Sequence, residues 1–201
     1  MKHHLDKLHS LNLSPSSINS FLYNKDSWFE SYIVGTFTDS LEMQFGRMID
    51  LKIQNDPLFL PHLPRYEKMQ ERLCAVLSGI KLVGKPDGFN LTDPKKLYDY
   101  KTGRNAWTQE KVNDCIQLKF YLLLIYITYK IPPEDFTCGI HWLPTKREDS
   151  GDFNAIISFI DEKDIKTFST KYTMQDILSF IKFIKKIYKE MEQFCLQYGS
   201  K

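Results

Sequence analysis

The chain has 201 residues, of which 42% are hydrophobic and 14% aromatic, enough apolar material to bury one substantial core. Its 27 basic and 25 acidic residues give a net charge of +2, so any basic surface for nucleic acid must be local. The longest apolar run, FYLLLIYI at 120–127, is too short to span a bilayer, and the N-terminus lacks a long apolar core. We therefore expect an intracellular, cytoplasmic protein with no membrane segment.

The N-terminal quarter is predicted to be helical, over about 13–54. Its first helix, over 13–33, opens with the serine cap Ser14 followed by a proline in the first turn, and its apolar residues recur at helical spacings. A second helix is predicted over about 40–54, and three prolines within 55–65 end it. The ten residues at the start of the chain are expected to fray.

Strand patterns occupy the next part of the chain. Alternation and β-branching over 65–91 predict a hairpin that turns at Ser78-Gly79 and has 80–91 as its second arm. The segment KLYDYKT, 96–102, predicts the next strand. We expect it to pair antiparallel with the second arm of the hairpin, joined by the loop NLTDPKK.

The C-terminal half adds two helices and two strands. Thr108 is predicted to cap a long buried helix over about 109–130, and strand candidates follow at 136–144 and 153–161. The last helix, about 172–198, is amphipathic. Helices at both ends around four or five strands predict one α/β or α+β domain over the whole chain.

One acid-x-lysine triplet differs from the others in the chain. Such triplets begin at Asp50, Asp93, Asp99, Asp161 and Asp164. The one at Asp99 lies in a predicted strand, where alternation sends Asp99 and Lys101 to the same face. A same-strand ion pair is one interpretation. Burying that pair without further partners is costly, however, so a second acid nearby, Asp87, indicates an external cation. Two carboxylates and a backbone carbonyl suit Mg²⁺ or Mn²⁺.

The order of several motifs resembles a known nuclease family. Pro86-Asp87, eleven intervening residues and Asp99-Tyr100-Lys101 match the signature of the PD-(D/E)xK nucleases. The surroundings resemble the RecB-type branch, which includes nuclease domains of recombination helicases and CRISPR adaptation nucleases. Its other motifs have counterparts in LSPSSINSFL (13–22), FGRMID (45–50), DYKTG (99–103) and QLKFY (117–121).

The resemblance implies a fold, a metal site and a substrate surface. It implies a restriction-endonuclease-like core, a central mixed sheet of four or five strands flanked by helices. The implied catalytic residues are Asp87, Asp99 and Lys101. One or two Mg²⁺ or Mn²⁺ ions would be held by Asp50, Asp87, Asp99 and the backbone carbonyl of Tyr100. Substrate would be bound by Gln117, Tyr121, Lys85 and Arg104.

Other interpretations of these residues stay open. Gln117 would position Lys101 or a DNA phosphate, and it is equally compatible with a buried glutamine satisfied by backbone groups. Tyr121 is also compatible with a core residue. Lys85 and Arg104 also fit a solvated basic rim. Asp50 stands where the family commonly has histidine, which is a tolerable change for a hard metal; as a surface acid it would instead pair with a neighbouring basic residue, Arg47 or Lys52.

Iron–sulfur members of this branch carry a cysteine in the N-terminal helix motif, and Asn24 stands at about that place here. The four cysteines, expected to be free buried thiols, are Cys74, Cys115, Cys138 and Cys195. Their scattered spacing predicts no iron–sulfur cluster.

The expected activity is divalent-metal-dependent hydrolysis of DNA. By analogy with the branch, we expect a sequence-nonspecific exonuclease that acts on DNA ends in recombination, repair or phage DNA processing, in a bacterial or phage-infected cell. A helicase, a recombinase or another DNA-processing protein would be a compatible partner. The alternative is a non-catalytic module that keeps the nuclease fold and binds nucleic acid or protein.

Overall fold

A computed structural model describes residues 2–36, 38–145 and 160–198. In these ranges the helices are α1 (Lys2–Ser10), α2 (Pro15–Tyr23), α3 (Lys25–Trp28, continuing as a π-helix over Phe29–Val34), α4 (Leu41–Asn55), α5 (Gln109–Asn113), α6 (Ile116–Tyr129) and α7 (Met174–Tyr198). The strands are β1 (Lys68–Met69), β2 (Leu73–Leu77), β3 (Ile80–Gly84), β4 (Gly88–Asn90), β5 (Lys96–Gly103), β6 (Thr137–Pro144) and β7 (Lys166–Thr170). The strand predicted at 153–161 falls almost wholly outside the described residues.

Five strands form one mixed sheet in the order β1-β4-β5-β6-β7. The central strand β5 pairs antiparallel with β4 and parallel with β6, and β7 returns antiparallel beside β6. Strands β2 and β3 form a separate two-stranded hairpin. The predicted architecture, a central mixed sheet flanked by helices, is confirmed.

The first helix corrects the expectation of a frayed terminus. Residues Lys2–Ser10 form α1, whose Leu8 is buried in the main core. Its His9 also lies 3.0 Å from Glu192 of α7. The N-terminal segment is therefore held by packing against the last helix, a long-range contact that its own sequence does not reveal.

The helix predicted over 13–33 exists in two parts. Ser14 caps α2 as predicted, since its hydroxyl accepts the amide N–H of Ser17 at 3.2 Å. Asn24 then adopts an extended backbone and ends α2, while its side-chain oxygen accepts the amide N–H of Ser27 and begins α3. One asparagine thus ends one helix and caps the next.

The predicted hairpin turns at Ser78-Gly79, but its second arm is divided. Strand β3 ends at Gly84, and the chain then leaves the hairpin and enters the five-stranded sheet as β4. Pro86 lies at the crossing and has no amide N–H with which to continue a ladder. Only the short β4 makes the predicted antiparallel pairing with β5.

The helix predicted over 109–130 is likewise divided, into α5 and α6. Thr108 caps α5 as predicted, with its hydroxyl accepting the amide N–H of Lys111. Cys115 is extended between the two helices, and the hydroxyl of Tyr172 donates to the Val112 carbonyl at 2.6 Å. That carbonyl would otherwise accept a helical hydrogen bond from residue 116. Strand β7, whose sequence lacks strong alternation, was not predicted.

The two faces of β5 carry different chemistry. Leu97 packs into the main core with α6, whereas Tyr98 and Tyr100 pack on the opposite face in a second cluster with α4. His141, the neighbour of Tyr100 on β6, is stacked with both tyrosine rings. Burial lowers the pKa of His141 to about 4, so the ring is neutral near pH 7. Alternation on β5 thus sends Tyr98 and Tyr100 to one face and Asp99 and Lys101 to the other.

Three of the four cysteines are buried free thiols, as expected, but Cys74 is exposed on β2. The reason is its place in the two-stranded hairpin, where alternate residues face away from the core. No helix in the described part of the chain is long and apolar enough to cross a membrane.

Candidate active site

Asp99 is the most deeply buried acid of the site, with 0% of its surface exposed. The side-chain amide of Gln117 donates to its Oδ1 at 2.8 Å. The ammonium nitrogen of Lys101 lies 2.5 Å from its Oδ2. That contact is an ion pair, and Oδ2 has no other hydrogen-bond donor among the described residues. This buried carboxylate oxygen therefore depends on the lysine ammonium alone.

Asp87 lies in the crossing between the two sheets and is 7% exposed. Its Oδ2 accepts the backbone N–H of Tyr100 at 2.8 Å, which ties it to the residue next to Asp99. Burial raises the pKa of Asp87 well above its usual range, and the charges of Asp99 and Asp50 raise it further. The two acids named in the sequence motif therefore meet at β5, as the strand pairing predicts.

Asp50 faces the same cluster from α4 and is half-buried. Burial raises its pKa to about 6, with a further rise from the charge of Asp99. Neither basic neighbour considered from the sequence holds it: Arg47 pairs with Asp39, and the Lys52 ammonium lies over the Phe59 ring. The interpretation of Asp50 as a surface acid in a local ion pair is wrong.

Lys101 is the cation of the cluster, with 29% of its side chain exposed. Burial alone would lower its pKa, but the charges of Asp99 and Asp87 outweigh that effect and raise its pKa above the usual value. The lysine is therefore charged near pH 7. Lys101 thus stands beside three acids, and burial together with mutual repulsion raises the pKa of two of them, Asp87 and Asp50.

Gln117 contacts Asp99 rather than Lys101. Its amide nitrogen donates to the Asp99 carboxylate and to the hydroxyl of Tyr121, each at 2.8 Å. Tyr121 is 6% exposed, which fits the core interpretation, although its ring also lines a cavity beside Lys101. The glutamine motif of α6 therefore orients an acid in this structure.

The two predicted basic contacts differ in position. Lys85 is exposed directly after β3, and its charge opposes the rise in the pKa of Asp50 that burial and Asp99 cause. Arg104 is exposed in the turn after β5. Lys85 lines the cavity beside Lys101, and Arg104 is not among the residues around it.

Gln70 is a site residue that sequence reasoning missed. Its side-chain amide donates to Asp87 Oδ1 at 2.6 Å, and its backbone N–H donates to the Asp87 carbonyl at 3.2 Å. Its backbone is left-handed, with φ of 54°, which costs a non-glycine residue on the order of 1 kcal/mol. Nothing in the local sequence marks it, because the contact spans 17 residues between strands of uncertain register.

The donor atoms fit a hard divalent cation. Within the described residues, no three His, Cys, Asp or Glu side chains form a ready-made metal-binding group. Mg²⁺ does not need one, since it usually keeps several waters and binds through one or two carboxylates. Asp87 and Asp99 supply two carboxylates, and the Oδ2 of Asp99, which faces the Lys101 ammonium at 2.5 Å, is an oxygen of the kind that a hard cation binds.

The fold is shared with solved exonuclease structures. A candidate exonuclease from Eubacterium rectale matches with a TM-score of 0.56 and 11% sequence identity, over 92% of this chain and 82% of that one. A phage-related exonuclease from Haemophilus somnus 129PT matches with a TM-score of 0.52 and 13% identity, over 98% and 93%. No protein-family model and no curated protein matches the sequence. At such identities the likeness shows the fold alone.

Because the pKa of Asp50 is raised, we expect Asp50→Asn to stabilise the folded protein in metal-free buffer, by an amount that depends on pH. Because the folded-state pKa is about 6, above the unfolded value of 3.8, the folded protein holds more protons in that window, and wild-type stability falls as pH rises through it. The variant lacks this loss. We expect its free energy of unfolding to exceed that of the wild type by on the order of 1–3 kcal/mol at pH 8.

Urea unfolding with chelator at several pH values measures this effect. The advantage should shrink as the pH falls from about 6 to about 4. Asp26→Asn, at an exposed acid of α3, is the control and should show no such trend. A difference between Asp50→Asn and wild type that does not change with pH would contradict the electrostatic account.

Proposed function

We propose that the protein is a divalent-metal-dependent deoxyribonuclease that hydrolyses phosphodiester bonds without sequence preference. The observation that carries the proposal is the convergence of Asp87, Asp99 and Lys101, with Asp50 beside them, at one buried point of the sheet. Repulsion among three acids next to Lys101 destabilises the folded protein, so a purely structural role does not account for it. The same negative charge would attract a metal cation, which in turn would bind a phosphate.

Asp87, Asp99, the Tyr100 carbonyl and Asp50 would hold one or two Mg²⁺ or Mn²⁺ ions. A bound ion would polarise the scissile phosphate and make a coordinated water more acidic. Lys101 would orient the attacking water and stabilise negative charge on the phosphate as it is attacked. Gln117 would keep the Asp99 carboxylate in place through the hydrogen bond it already makes.

An exonuclease acting on DNA ends is the activity we favour. Two solved proteins of the same fold carry exonuclease names, and the sequence resembles a branch in which such activity is usual. Exposed cations near the site, such as Lys85, suit contacts with phosphates, which give affinity but no base preference. DNA is the proposed partner.

The proposal is tested by Asp99→Asn and Lys101→Ala in an assay with labelled linear and circular DNA and Mg²⁺, Mn²⁺ or chelator. We expect each variant to lose at least about a hundredfold in metal-dependent cleavage, because each removes a group that stabilises charge at the phosphate. Asp93→Asn is the matched control, since it breaks an exposed acid–lysine pair, Asp93 with Lys95 at 2.8 Å. That variant should cleave like wild type.

Thermal melting gives a readout besides activity. Mn²⁺ should raise the Tm of wild type and of Asp93→Asn but not of Asp99→Asn. Binding of DNA without metal-dependent cleavage would favour the non-catalytic module instead. A large loss of stability in Asp99→Asn, with no metal response in wild type, would favour a purely structural ion pair.

Gln70 is proposed as a positioning residue for Asp87, and Gln70→Gly tests this. Glycine accepts the left-handed backbone at this position, so the change removes the side-chain amide without adding strain. We expect kcat to fall about tenfold or more with KM nearly unchanged, because Asp87 loses a charge-assisted hydrogen bond. Ser78→Gly makes the same exchange at the left-handed residue of the β2–β3 turn and should leave kcat unchanged. If Gln70→Gly has the same kcat as Ser78→Gly, Gln70 does not position Asp87 for catalysis.

A further inference from the structure

A cavity of about 490 Å³ opens beside Lys101, outside the cluster of acids. It forms because Leu13 is hydrogen-bonded to β3, with its N–H donating to the Lys81 carbonyl at 2.7 Å and its carbonyl accepting the Val83 N–H at 2.9 Å. This bridge fixes the first turn of α2 beside the end of β3. Lys101 and Gln117 line the cavity on the side of the acids.

The lining has the chemistry of a site for an anion. Three cations surround the cavity, Arg72, Lys85 and Lys101, and no carboxylate is among the residues that line it. Within the described chain, neither Arg72 nor Lys85 has an ion-pair partner within 4.0 Å, and both are exposed. Unpaired cations around a concave surface raise the local concentration of anions.

Uncharged polar residues also line the cavity, beside the apolar Pro15 and Val83. Ser16 and Asn19, on the first turns of α2, line the same cavity as the cations, and the Ser16 hydroxyl lies 2.9 Å from that of Ser14. The positive end of the α2 dipole adds to their effect. Hydroxyl, amide and guanidinium groups are the usual donors to phosphate oxygens in complexes with nucleic acids.

We propose that this cavity is a phosphate-binding subsite for the nucleotide next to the scissile bond, with Arg72 and Lys85 as its charged donors. The proposal rests on the proposed nuclease function, because Lys101 belongs both to the acid cluster and to the cavity. A phosphate in the cavity would thus belong to the DNA nucleotide next to the phosphate that is attacked. The volume, within the range of about 300–1,000 Å³ usual for ligand pockets, accommodates a phosphate together with its sugar.

Arg72→Gln tests the subsite, with Lys81→Gln as control because Lys81 is an exposed cation of the same hairpin that does not line the cavity. Binding of labelled oligonucleotides is measured by anisotropy in chelator at several salt concentrations. We expect Arg72→Gln to bind about five- to tenfold more weakly and to reduce the slope of log K against log salt by about one, the effect of losing one phosphate contact. Lys81→Gln should match wild type.

The oligonucleotides also identify which phosphate is bound. If a strand-end phosphate occupies the subsite, removing it from a linear strand weakens wild type but not Arg72→Gln. If an internal phosphodiester occupies it, Arg72→Gln weakens the binding of circular single strands as much as the binding of linear strands. Either pattern supports the subsite and names its ligand.

Two further measurements separate failure of the subsite from failure of the function. Inorganic phosphate should raise the Tm of wild type more than that of Arg72→Gln, whether or not the protein cleaves DNA. In the cleavage assay Arg72→Gln should raise KM with kcat nearly unchanged. If wild type cleaves DNA and Arg72→Gln has the same affinity, salt slope and KM, the subsite is wrong and the proposed nuclease function stands. Wild type that neither binds nor cleaves nucleic acid overturns the proposed function with it.

Discussion

The site depends on one hydrogen bond, from the backbone N–H of Tyr100 to the carboxylate of Asp87. It joins the segment that crosses between the two sheets to the central strand that carries Asp99 and Lys101. Two acids are thereby held together where solvent is largely excluded, and burial raises the pKa of Asp87. Such an arrangement is electrostatically unfavourable without a cation in addition to Lys101. The proposed chemistry follows from that unfavourable arrangement, since a divalent ion would relieve it and would act on a phosphate.

Much of this site could be predicted because it lies on one strand and follows simple alternation. Side chains two apart on β5 share a face, so Asp99 and Lys101 had to be neighbours. The antiparallel pairing of β4 with β5 then placed Asp87 at the same end. Asp50 was reached through the family resemblance rather than through its own helix, where it stands at the margin of the apolar face.

The features that were not predicted depend on contacts between distant parts of the chain. Helix α1 is held through contacts with α7, and the break between α5 and α6 accompanies a hydroxyl from Tyr172. Gln70 reaches Asp87 only because β1 pairs with β4, a register that two-residue strands do not specify. The cavity beside Lys101 needs the bridge between Leu13 and β3, which no local pattern marks.

The central claim is that Asp87 and Asp99 together bind a divalent metal ion. Crystals grown with Mn²⁺, with diffraction recorded at the manganese absorption edge, test it most directly. The account predicts an anomalous peak within about 2.5 Å of carboxylate oxygens from both residues. No peak between the two carboxylates, at a Mn²⁺ concentration that saturates any metal-dependent activity of the protein, would contradict it.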